Sequence, residues 1–117
     1  MKIIKIKLKN LEIEAIYMRN FSIYQGLMFK KEGNALLEFP EEKKYKIWTL
    51  FMRYPLDLIF LNKNKRVVET IKGAVPITLN PKTWKVYKPA NDFKYLLELD
   101  ARKKLSVFFK IGDVLEW

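Results

Sequence analysis

Apolar and polar residues alternate strictly at the start of the chain. Ile4, Ile6 and Leu8 interleave with Lys5, Lys7 and Lys9, and after Asn10 the alternation resumes with Leu11, Ile13 and Ala15 against Glu12 and Glu14. A two-residue turn at Lys9-Asn10, with Asn10 supplying the positive φ, sets Leu8 opposite Leu11, Ile6 opposite Ile13 and Ile4 opposite Ala15. The same register puts Lys7 across from Glu12 and Lys5 across from Glu14. One choice of turn therefore yields an apolar inner face and a charge-paired outer face.

Further along, Ser22 to Gln25 fits a capping box and predicts a short helix ending near Gly26. Ala35 to Phe39 reads as a strand stopped by Pro40, and Glu41 to Lys44 as a charged turn. Tyr45 to Met52 reads as a longer strand, with Pro55 forcing a bend before the chain re-enters a sheet at Leu56. Residues 57 to 71 pattern as a second, central hairpin around Asn62 to Lys65, with Ile59 facing Val68 and Phe60 facing Val67. Tyr95 to Leu99 is another strand, Asp100 is placed to cap a helix over Ala101 to Phe109, and Ile111 to Leu115 forms a last strand. The chain is thus expected to be mostly β, a single domain over 1–117, built as a β-barrel or β-sandwich of jelly-roll-like form with one or two short helices.

Composition then restricts the chemistry. With no Cys and no His there is no disulfide, no thiolate nucleophile, no Ser-His-Asp triad and no zinc site of nitrogen and sulfur ligands. The Lys-rich, Cys-free and Gln-poor composition is common in heat-adapted proteins, while the seven Asn run against it. No apolar stretch is long enough to span a bilayer and no signal-peptide core follows the basic N-terminus, so a cytoplasmic protein with no membrane partner is expected. The 23 basic residues outnumber the 13 acidic ones, for a net charge of +10, but the surplus is spread evenly through both halves of the chain. Only four of the 23 are Arg, which disfavours bidentate readout of bases.

Gly26-Leu27-Met28-Phe29-Lys30, Ala35 to Pro40, Ile47-Trp48-Thr49, Pro55 to Phe60, Tyr95 to Leu99 and Gly112-Asp113-Val114 occur in a recognisable order. That set resembles domain of unknown function 192, with its G-L-M-F-R, G-M-L-F-x-F, F-W-M-K-N-T-x-x-P-L-D-x-x-F, L-E-L and G-D-x-V segments. The resemblance runs from about Leu11 to Leu115. It implies a small β-barrel or jelly-roll-like fold with no assigned activity, found in bacteria and archaea and often behind an export signal. The chain departs from the family pattern at Leu50, Phe51 and Met52, where polar Lys-Asn-Thr is usual. It departs again at Glu38 within the Leu-Phe-x-Phe block, and at Arg102, where many relatives have Gly.

Asp57 is the most conspicuous carboxylate, because Leu56 and Leu58-Ile59-Phe60 surround it and a carboxylate in apolar company must be hydrogen-bonded, paired or raised in pKa. As structure, it would accept backbone amides of the Arg53-Tyr54-Pro55 bend or pair with Arg53. Glu98 sits in the Leu-Glu-Leu strand, where alternation exposes every second residue and a single Glu needs no explanation. Three readings of function remain open on these residues. The first is a binding or accessory barrel without catalysis or cofactor, taking a small-molecule or polymeric ligand near Trp48 to Asp57, with Met28, Phe29, Lys30, Trp48, Arg53, Asp57 and Glu98 as the binding set. The second is weak, non-specific nucleic-acid binding through the basic surface. The third is a hydrolase-like enzyme in which Asp57, Glu98 and Asp113 converge, with a hard cation conceivable among them.

Overall fold

A computed structural model describes residues 2–19, 33–48, 54–74 and 86–117. Eight strands appear in them: β1 (Lys2–Leu8), β2 (Leu11–Arg19), β3 (Ala35–Lys43), β4 (Ile47–Trp48), β5 (Leu56–Leu61), β6 (Val67–Ala74), β7 (Val86–Tyr87) and β8 (Phe93–Asp100). Six of them form one sheet in the order β1-β2-β3-β8-β5-β6, and β4 pairs with β7 alone. All pairings are antiparallel except β2 with β3.

The sheet is closed by the chain's last residues. Glu116 exchanges both backbone hydrogen bonds with Lys7 of β1, at 2.8 and 3.0 Å. On its other side the same segment meets the opposite edge of the sheet: Val67 N–H donates to the Asp113 carbonyl and Gly112 N–H to the Val67 carbonyl, both at 2.8 Å. Residues 112–116 thus join β6 to β1 and turn the sheet into a barrel, leaving these stretches of edge backbone satisfied.

Strand alternation then sorts the core into two layers. One contains Ile6, Ile13, Leu36, Ile59, Val67, Leu97 and Leu115, so that every strand of the large sheet and the closing segment contribute to it; this is the barrel interior. The other lies on the outside of the sheet, where Leu37, Leu58, Phe60 and Leu96 pack with Tyr54, Tyr87 and Phe93. β5 and β8 are buried on both faces, which is why they read as continuous apolar runs with little alternation.

The first hairpin has the register its pattern predicts, from Lys2 opposite Tyr17 to Leu8 opposite Leu11. The positive φ falls on Lys9 (55°) and not on Asn10, so the first turn residue carries the left-handed conformation. Lys5 and Lys7 both reach Glu12, at 3.7 and 3.9 Å, so Lys5 pairs diagonally instead of with its direct partner Glu14.

Elsewhere the structure corrects the pattern. Pro40 does not stop β3: the strand runs on to Lys43 because its register against β8 shifts between Glu38 and Lys43, where a missing N–H costs no ladder bond. In the second hairpin Ile59 faces Thr70 and Phe60 faces Glu69, not Val68 and Val67. There the turn closes from Asn62 to Arg66 with Lys65 at φ 62°, and a register shift between Phe60 and Leu61 displaces the pairing. Only Ile47–Trp48 of the expected Tyr45 to Met52 strand is described as such; the rest of its C-terminal half and the capping box at Ser22 lie outside the described residues.

Asp100 caps the following turn as expected, its carboxylate accepting from Arg102 N–H. The expected helix over Ala101 to Phe109 is instead two 3-10 turns, Ala101–Lys103 and Leu105–Phe108. Lys104 separates them at φ 55°, a conformation that cannot continue a right-handed helix.

Candidate functional site

The sheet places the two buried carboxylates of the sequence reading on opposite faces. Glu98 pairs with Leu58 on β5 and with Ala35 on β3, all three on the outer face, whereas Asp57 pairs with Leu99 and alternates with Ile59 and Leu61 toward the interior. Asp113 is far from both roles: its Oδ2 accepts from Lys110 N–H at 2.9 Å and closes the C-terminal turn. The convergence of these three carboxylates on which the enzyme reading depends is not seen, and among the described residues no group of three or more acidic side chains is placed to hold a metal ion.

Asp57 is 4% exposed and its Oδ1 accepts from the Gly73 backbone N–H at 2.8 Å. This partner lies on β6, where pairing with β5 shifts register between Leu56 and Leu58 and a ladder bond is interrupted. The carboxylate replaces that bond. The carboxylate thus supports backbone across the sheet; Arg53, the pairing partner named for it, lies outside the described residues.

Glu98 is different. It is 8% exposed, and none of the described residues forms a hydrogen bond or ion pair with it. Burial among apolar neighbours penalises the charged form and pushes its carboxyl up to about 7. The polar groups around it are already committed. Asp100, two residues on and on the same face, accepts from Arg102 Nε at 2.9 Å and Nη2 at 2.7 Å, which holds its carboxyl below the usual range. The Arg102 guanidinium lies 4.8 Å from the centre of the Tyr54 ring, and the Tyr54 hydroxyl donates to the Gly33 carbonyl at 3.0 Å. Asn34 Oδ1 accepts from Asp100 N–H at 3.2 Å, and Ala101 N–H donates to the Pro55 carbonyl at 3.0 Å. One partnerless carboxyl thus sits beside a polar network whose own groups are paired. The sequence reading passed over Tyr54, Asn34 and Asp100 as members of this network. The signal available was the Asp-x-Arg spacing after Leu-Glu-Leu, in which an N-cap carboxylate can also chelate the following Arg.

Of the remaining residues of the expected binding set, Met28, Phe29, Lys30 and Arg53 lie outside the described residues, and Trp48 is placed through its backbone pairing with Val86. A second polar cluster lies where Glu38 of β3 pairs with Tyr95 of β8. Tyr17 donates to Glu38 Oε1, Lys94 approaches Glu38 Oε2 at 3.7 Å, and burial together with Glu38 pushes the Tyr17 phenol well above its ordinary range. Beside it an open groove of about 530 Å³ is lined by Lys2, Ile4, Tyr17, Arg19 and Trp117. Among the described residues no helix is long and apolar enough to cross a membrane.

Known proteins share this architecture. The chain is 35% identical to a UPF0127 protein of Pyrococcus furiosus over 113 residues, covering 93% of this chain and 90% of that one. It is 36% identical to a UPF0127 protein of Pyrococcus horikoshii over 95 residues, covering 79% of this chain and 76% of that one. A crystal structure of a protein of unknown function from Novosphingobium aromaticivorans superposes with a TM-score of 0.81 at 21% identity, over 98% of this chain and 85% of the other, a likeness of fold. The family model DUF192, described as uncharacterized ACR, matches residues 3–117. With nearly the whole chain matched, the protein belongs to the DUF192 family, a family with no established function.

Proposed function

We propose that the protein is a single-domain binding barrel that engages a small polar ligand through Glu98. The observation that carries this reading is Glu98 itself, 8% exposed and with no hydrogen bond or ion pair to any described residue; no side-chain oxygen among the described residues is both fully shielded and unpartnered, so its carboxyl keeps a path to a ligand. An unmatched carboxyl in apolar surroundings is costly, and a ligand that satisfies it recovers that cost. With its pKa near 7 the group both donates and accepts at neutral pH, which suits a neutral ligand carrying hydroxyl or amide groups more than an obligate cation. Asp100, two residues on and on the same face, is fixed by Arg102, whose guanidinium lies against the Tyr54 ring.

A hydrolase of the two-carboxylate kind would need a second carboxylate about 5 to 9.5 Å from the first. Asp57 is turned to the other face and Asp100 is held by Arg102, so the geometry favours binding over hydrolysis.

A thermal-shift screen of sugars, polyols and amides near pH 6 tests this reading. A compound that raises the melting temperature of the wild type and leaves Glu98→Leu unmoved supports it. Failure of every such compound to stabilise the wild type, or equal stabilisation of both proteins, would overturn it.

A further inference from the structure

Five large apolar side chains are exposed among the described residues, and four of them, Val107, Phe108, Ile111 and Val114, fall within eight consecutive positions. Their exposures run from 48% for Val114 to 70% for Ile111. The segment is not loose. Leu105, Phe109 and Leu115 anchor it inward against the barrel interior, the Asp113 side chain ties back to Lys110 N–H, and Val114 is bridged to Arg66. Inward and outward residues therefore interleave along one fixed stretch, which presents the outward ones to solvent as an apolar knuckle.

Cations surround this knuckle. Lys104 and Lys110 bracket Val107 and Phe108 in sequence, both are exposed, and neither has an ion-pair partner among the described residues. Arg66 donates from Nη1 to the Gly112 carbonyl at 2.9 Å, which sets its guanidinium next to Ile111. Two acids adjoin it: Asp113, whose carboxylate is occupied in the turn, and the exposed Glu116, so the basic side chains outnumber the acidic ones here.

We propose that this knuckle docks the protein peripherally on an anionic lipid bilayer, with Phe108 and Ile111 entering the interface and Lys104, Lys110 and Arg66 lying at the phosphate level. Apolar side chains ringed by basic ones are the pattern that such surfaces recognise. A second copy of the chain is a poor occupant, since a two-fold contact would bring the same cations face to face. The side chains also project from turns instead of lining a groove, so a surface that yields around them fits better than a rigid protein pocket. Peripheral docking of this kind requires neither a membrane span nor a signal-peptide core, the two features on which the expectation of no membrane partner rested.

Sedimentation with phosphatidylcholine vesicles, with and without phosphatidylglycerol, at low and high salt, tests the proposal on the full chain. Binding is expected to the phosphatidylglycerol vesicles only and to weaken with salt. Lys104→Gln and Lys110→Gln should each weaken it about fivefold, and Phe108→Ser with Ile111→Ser by about tenfold or more. All four positions are exposed, so unchanged circular dichroism and melting temperature are the controls. Absence of binding to anionic vesicles at low salt would overturn the proposal. So would binding that survives the Phe108→Ser, Ile111→Ser change, or a concentration-dependent dimer abolished by that same change.

Discussion

Asp57 and Glu98 stand on adjacent strands one residue out of step, Asp57 opposite Leu99 and Leu58 opposite Glu98, so their carboxyl groups lie on opposite sides of one sheet. One carboxyl supports the backbone and the other is left unmatched. Their replacement should therefore have opposite effects.

For Glu98 the effect depends on pH. Its pKa rises from the ordinary 4.5 to about 7 in the folded protein. Below pH 4.5 both folded and unfolded forms carry the proton and the site costs nothing. Between pH 4.5 and 7 the unfolded chain releases it and the folded chain keeps it, so stability falls across this window and levels off above pH 7. Glu98→Gln should then be more stable than the wild type by about 3 kcal/mol at pH 8 and nearly equal to it at pH 4. Urea unfolding at both pH values measures the difference.

At Asp57 the expected sign is the reverse. Asp57→Leu leaves the Gly73 N–H without its acceptor and should cost about 1–3 kcal/mol, while Asp57→Asn, which keeps an acceptor oxygen, should cost less. The same unfolding experiment ranks the three proteins. Equal stability of Asp57→Leu and the wild type would remove Asp57 from the backbone role assigned to it.

Three lysines, Lys9, Lys65 and Lys104, adopt positive φ. Lys9 is exposed, and Lys9→Gly should raise stability by about 0.5–1 kcal/mol by removing the left-handed penalty. Lys65→Gly should show no such gain. The Lys65 ammonium donates to the Trp117 carbonyl at 3.0 Å and lies 4.3 Å from the centre of the Trp117 ring, and glycine loses both contacts. Melting temperatures of the two variants should move apart.

The closing segment offers a further contrast. Leu115 is 2% exposed in the barrel interior, and Leu115→Ala should cost about 2–4 kcal/mol. Its neighbour Val114 faces outward, and Val114→Thr should stay within about 0.5 kcal/mol of the wild type. Guanidinium midpoints separate the two, and a mild Leu115→Ala effect would show that the barrel holds without this seam.

Local alternation made the first hairpin legible, because a single two-residue turn fixes every pair from Ile4 to Leu11. β5 and β8 were recognisable as strands, yet their faces were not, since a strand buried on both sides carries no alternation from which to assign Asp57 or Glu98. The second hairpin was misregistered because a bulge leaves no mark in the apolar pattern. The helix expected after Asp100 failed at Lys104, a residue whose type gives no warning of a left-handed conformation. The Asp100, Arg102, Tyr54 and Asn34 network was hidden for a different reason: it is assembled from three separate stretches of chain and exists only once β3, β5 and β8 lie side by side.

The seam between Lys7 and Glu116 also sets an order of events during synthesis. β1 and β2 can pair as soon as they leave the ribosome, but the outer edge of β1 waits for nearly the whole chain before its partner exists. Until then the nascent protein carries an open, lysine-studded strand edge, and the charges at Lys5 and Lys7 discourage neighbouring chains from pairing with it first. The alternation that opens the sequence thus guards the same edge that the final residues seal.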